Sequence, residues 1–159
     1  MEQEQLMKDF EEAFAKMKSE LGFKASLEEL DQIFFLRDFV LKEGYVSRSL
    51  SRMICGRMVE TFNGWGNYLH GVVIPNPGSM VNMNEHQMFE DKEKEEIMQI
   101  MGKILRLSSQ NSINGLSKDI PAQGKFVDEA VAFWNKTLKD NMIQIMKKVN
   151  KGWQENGKA

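Results

Sequence analysis

A chain of 159 residues, 28% of them charged and with a net charge of -2, is expected to fold as one soluble domain, 1–159, with a core that needs no staples. That charge balance gives no general drive toward nucleic acid or an anionic membrane, and no run of about 18 apolar residues offers a membrane span. The lone Cys55 excludes an intrachain disulfide and a cysteine-based metal knot, and the acidic start MEQEQLMKDFEEAF lacks the pattern of a signal peptide, so a cytoplasmic protein is expected.

Residues 2–21 read as a first helix, with Leu6, Phe10, Ala13, Phe14, Met17 and Leu21 in a narrow apolar stripe. Gly22 stops it, and Phe23 is placed to fold back on the last turn. A stripe this narrow suits one partner helix, so segment 1–21 is expected on its own domain or at an interface with a second subunit. Ser26 and Glu29 form a capping box for a second helix over 26–43, whose body LDQIFFLRDFVLK is apolar nearly all round.

The stretch 47–73 carries most of the unusual chemistry. Leu50, Ile54, Met58, Phe62, Trp65, Leu69 and Val72 recur at helical spacing, which predicts a helix of roughly 40 Å. Gly56, Gly64, Gly66 and Gly71 each disfavour that helix by roughly 1 kcal/mol against alanine. Two reasons are open: close packing of a neighbour, or a kink near Asn63–Gly66 that shapes a pocket. Pro75 and Pro77 end the helix, and 74–83 reads as a long loop, apolar through Ile74, Met80, Val81 and Met83.

Asn84 is placed to cap a short turn. The run EDKEKEE, 90–96, opens a further helix, with acids where they favour the dipole. Ile97, Ile100, Met101, Ile104, Leu105 and Leu107 are its expected buried face. SSQNSINGLSKDIP, 108–121, reads as a second loop. A last helix over 122–151 carries a regular stripe from Val127 to Trp153, and 154–159 is expected to fray. The expected class is all-α, a bundle of about five helices, three of them long.

The search for chemistry is mostly negative. There is no Glu-x-x-His pair, HExxH, nucleophile elbow or phosphate-binding glycine loop. His86 with Glu85 and Glu90 is a conceivable pair of ligands, but a solvated histidine explains it, so no metal and no cofactor are assigned. Cys55 lies between Ile54 and Gly56 and reads as a small buried apolar residue, although Arg52 and Arg57 are near in sequence.

No catalytic residues are assigned. Two binding sets remain. Trp65, Asn67, Tyr68 and His70 would form a small-ligand or enzymatic site beneath the 74–83 loop. Arg48, Arg52 and Arg57 would form an anion site for nucleic acid, against the alternative of pairing with Asp31, Asp38 or Glu60. The leading expectation is a non-enzymatic helical interaction module, a homo-oligomer or part of a larger assembly with a protein partner.

Overall fold

The computed structural model describes residues 1–157. These form an all-α protein of seven continuous helices, not about five. They are α1 (Glu2–Leu21), α2 (Leu27–Phe34), α3 (Leu36–Glu43), α4 (Leu50–Val73), α5 (Met80–Gln87) and α6 (Asp91–Ser117), followed by a last helix. The last runs without a break as α7 (Ile120–Phe133), a π-helical segment (Trp134–Leu138) and α8 (Lys139–Asn156). No described helix is long and apolar enough to cross a membrane. The chain divides into two compact units: Met1–Thr61 with Leu107–Val131, and Phe62–Arg106 with the described residues from Ala132 on. Helices α4 and α6 each contribute one part to each unit.

In the first unit α1 packs on α3, burying Phe10, Phe14 and Met17. Gly22 adopts the left-handed conformation, its N–H bonds the Lys18 carbonyl, and Phe23 folds back edge-on to Phe14 at 5.8 Å. Helix α7 comes close beneath this turn. The Lys24 N–H donates to the Asp128 carboxylate at 3.0 Å, and Gly124 lies against the Leu21 carbonyl oxygen, where a Cβ has no room.

The expected helix over 26–43 is two helices. Ser26 caps α2 through Glu29 N–H as the capping box requires. The break falls at Phe35, which has φ 55° and is 59% exposed. Asp31 holds the break open. Its carboxylate accepts the Arg37 backbone N–H at 2.8 Å and the Arg37 guanidinium at 3.1 Å, so it caps α3 from the preceding helix. A stretch this apolar gives no periodic sign of such a turn.

The expected loop 108–121 is mostly helix. Helix α6 continues to Ser117 because its inner row continues as Leu107, Asn111 and Asn114, all buried. Amides stand where a periodic core would carry apolar residues. Asn114 Nδ2 donates to the Ala122 carbonyl, and Gln110 Nε2 donates to Asn114 Oδ1 at 2.8 Å. Only Lys118 and Asp119 separate α6 from α7, and Asp119 caps α7 through Ala122 N–H.

In the second unit the expected 74–83 loop is irregular only to Ser79. Ser79, not Asn84, supplies the cap of α5 by accepting Asn82 N–H. Glu90 N–H donates to Glu93 Oε1 at the start of α6, and Lys148 of α8 donates to the same carboxylate at 2.6 Å. These two contacts hold Glu93 below the usual carboxylate range. The stability they give is present at neutral pH and is lost as pH falls through that lowered value. The helix persists through Gln154–Asn156 of the expected frayed tail, whose residues 158 and 159 lie outside those described.

Two substitutions test this account in opposite directions. Gly124→Ala drives a methyl group into the Leu21 carbonyl and should destabilise by about 3 kcal/mol or more. Phe35→Gly relieves a left-handed aromatic residue with little apolar burial to lose, and should stabilise by up to about 1 kcal/mol. Urea midpoints at constant slope report both.

Candidate functional site

The second half of α4, from Phe62 on, carries the predicted set Trp65, Asn67, Tyr68 and His70 and packs with α5 and the first half of α6. Helix α4 runs unbroken through Asn63–Gly66, so no kink there shapes a pocket, and close packing accounts for two of its four glycines. A Cβ on Gly66 would lie 3.4 Å from Ile104, and one on Gly71 would lie 3.2 Å from Asn82 Oδ1. Those two glycines let α6 and α5 approach. Gly56 and Gly64 have nothing of the described chain within 4 Å of such a methyl.

Two depressions open on different sides of this helix. The first, about 140 Å³, is lined by Asn63, Gly66, Asn67 and His70 of α4 with Met101, Ile104 and Leu105 of α6. The second, about 100 Å³, is lined by Asn67, Tyr68, Gly71 and Val72 with Asn82 and Glu85 of α5. The structure thus brings Asn67 to His70 in one place and Asn67 to Tyr68 in the other. Trp65 stands edge-on to Tyr68, ring centres 6.5 Å apart at 89°.

His70 is exposed, and no described side chain hydrogen-bonds its ring. Nothing therefore orients it as a base. The other histidine is fixed. His86 Nδ1 donates to the Val72 carbonyl at 2.6 Å, leaving Nε2 to accept from Lys94 Nζ at 3.2 Å.

In the sequence Glu85 draws notice only as a neighbour of His86, yet it has the more unusual position. It is 7% exposed and accepts the Tyr68 hydroxyl at Oε2, 2.9 Å away. Burial first, and this bond second, push the Tyr68 phenol well above its ordinary pKa, so it stays a protonated donor. The sequence signal available is spacing: Glu85 lies one helical repeat from Val81 and Met88, but a carboxylate in a short helix reads as solvated.

The three predicted anion-site arginines lie in the first unit and diverge. Arg48 is exposed. Arg52 Nη1 donates to Asn111 Oδ1 at 3.0 Å and Nη2 to the Asn111 carbonyl at 3.2 Å, with the guanidinium lying over Gly115. Arg57 turns the other way. It pairs with Glu60 at 2.8 Å, stacks 4.8 Å over the Phe39 ring and reaches the Phe34 carbonyl. Asp31 takes Arg37 as its partner.

Compared with protein-family models, curated proteins and solved structures, the chain shows no match.

Cys55 is fully buried in α4, and desolvation raises its thiol from 9.0 to about 11 despite the nearby charge of Arg52. At pH 8 ionisation alone should slow its reaction with a disulfide reagent by about 100-fold relative to an unperturbed thiol, before steric exclusion is counted. The sign for stability is fixed by the raised value: the neutral thiol's contribution is complete below pH 9 and is lost as pH climbs toward 11. Stopped-flow labelling of native and urea-unfolded protein measures the difference. Equal rates would contradict a buried, neutral Cys55.

Proposed function

We propose that this chain is a non-catalytic helical module that self-associates through the outer face of α6 in the second unit. One observation carries the reading. Met98 is 54% and Leu105 is 63% exposed, one heptad apart, and Gly102 between them has nothing of the described chain within 4 Å of where a Cβ would stand. At about 100° per residue these three lie within about 60° of one another, on the side of the helix away from buried Ile97, Ile100 and Ile104. A helical glycine with no internal neighbour gives up roughly 1 kcal/mol for no gain within its own chain. Against a second helix the missing side chain permits close approach.

The partner this face suits is a second copy. The first turns of α6 carry four acids, Asp91, Glu93, Glu95 and Glu96, against Lys92 and Lys94, whereas its charges after residue 97 are Lys103 and Arg106. Antiparallel pairing about a two-fold axis near Met101 and Gly102 sets Met98 of one copy beside Leu105 of the other. It also brings Glu95 and Glu96, at the end of each net-acidic segment, toward the other copy's Arg106. The tip at Ile74–Val81 adds a second apolar surface to the same unit, with Ile74, Met80 and Val81 all exposed. Its backbone is held in shape, since Asn76 N–H donates to Asn82 Oδ1 and Gly78 N–H to Asn76 Oδ1.

A second reading rests on the 140 Å³ depression that Asn67 and His70 share with Met101 and Leu105. A small ligand with an apolar body and one polar end would suit it. The two readings compete for the same side chains.

Sedimentation equilibrium over about 5 µM to 1 mM separates them. The parent chain should show a concentration-dependent dimer. Leu105→Glu should remain monomeric with its helical circular dichroism unchanged, because the side chain is mostly outside the core. A parent that is monomeric throughout, or a variant that dimerises as the parent does, would overturn self-association through this face.

A further inference from the structure

We propose that the cavity bounded by Asn67, Tyr68, Gly71, Val72, Asn82 and Glu85 binds a compact monovalent cation, either an alkali ion or the ammonium end of a small amine. The starting point is a charge without a countercharge. Glu85 is 7% exposed, and its hydrogen-bond partner is the neutral Tyr68 hydroxyl. Among the described residues no lysine, arginine or histidine nitrogen lies within 4.0 Å of its carboxylate. The nearest candidates by sequence are engaged elsewhere, with Lys94 on His86 and His86 on the Val72 carbonyl. A buried carboxylate is normally paired or bound to a cation, because desolvation disfavours it strongly otherwise.

The space beside it has the size and chemistry for such an ion. About 100 Å³ is roughly three times the share of one liquid water, enough for a small cation with one or two waters. The lining offers the Glu85 carboxylate, the Tyr68 oxygen and the side-chain amides of Asn67 and Asn82. These are hard oxygen donors with a single formal charge, a set suited to an alkali ion or an ammonium group and not to a soft metal. The orientation of Asn82 is set by its acceptor role, since Oδ1 takes the Asn76 N–H. Gly71 keeps the wall open, because a methyl there would stand 3.2 Å from that same oxygen.

Tyr68 has a consistent part. Its hydroxyl donates to one carboxylate oxygen and leaves the other for the ion. The phenol oxygen itself retains acceptor capacity when its hydrogen is given to Glu85.

The test is thermal unfolding of the full chain in chloride salts of equal concentration. Potassium, sodium, ammonium and methylammonium are compared with N-methylglucamine, which is too large to enter. A site of this kind should raise the melting temperature by about 2–4 °C at saturation in at least one small cation, with a hyperbolic dependence on its concentration. Alkali ions outranking methylammonium would identify a bare ion, and the reverse order an amine. The increment should vanish in Glu85→Gln, which keeps the shape and the Tyr68 contact. It should fall by at least half in Gly71→Ala, whose methyl displaces Asn82. If Glu85→Gln does not fold, Gly71→Ala decides alone, because the increment is read against the same variant in N-methylglucamine. Equal melting in every salt, or an increment that survives in whichever variant folds, would overturn the proposal.

Discussion

Helix α6 has to supply a core to each of two units, and its inner row changes chemistry to do so. In the second unit the row is Ile97, Ile100 and Ile104, fully apolar. In the first it becomes Leu107, Asn111 and Asn114. Amides in that position are tolerated because each finds partners. Asn111 receives the Arg52 guanidinium at both its side-chain and backbone oxygens, and Asn114 spans from Gln110 to the start of α7. Arg52 in turn can lie across the helix only because residue 115 is glycine. One buried row thus fixes an arginine, a glycine and the entry of α7, which together give the first unit a directional core that apolar packing alone would not specify.

This is also where the sequence is hardest to read. The helices with unbroken apolar stripes are legible, and α1 has the bounds expected for it, down to Gly22 and Phe23. The all-α class follows from those stripes. The helix count and bounds do not: α5 begins inside the expected 74–83 loop, and two further departures have physical reasons. Polar residues that continue a helical period look like a loop when they are Ser, Asn and Gly, although the spacing from Ile104 through Leu107 and Asn111 to Asn114 is intact. A break driven by a side-chain cap, with Asp31 serving Arg37, leaves no periodic trace when the residues at the break, Ile33 to Leu36, are all apolar. Both misreadings come from treating polarity as the signal, when the signal is spacing plus an available hydrogen-bond partner.

The candidate site is legible as a location more than as an arrangement. The stretch from Trp65 to His70 does border concave surface, but α4 presents Asn67 and His70 toward α6 and Asn67 and Tyr68 toward α5. A helix turns by about 100° per residue, so four positions within six residues cannot all converge on one side of it. The member that makes the α5 side chemically distinctive, Glu85, comes from a helix of eight residues with little amphipathic character of its own. Its burial is a tertiary fact that the order of residues along α5 does not carry.

The helical glycines sort the molecule's surfaces more clearly than its charges do. Gly66, Gly71, Gly115 and Gly124 each sit where a neighbour has come close, against Ile104, Asn82, Arg52 and the Leu21 carbonyl respectively. Each offsets its low helix propensity through a contact inside its own unit. Gly102 has the same helical disadvantage and no such contact, and it stands between two exposed apolar side chains on the outward face of α6. Gly56 and Gly64 of α4 are equally without a neighbour, but neither stands between exposed apolar side chains, so it is the setting of Gly102 that distinguishes it. The self-association proposed above gives Gly102 the neighbour that the described chain does not, with a second copy of α6 facing it.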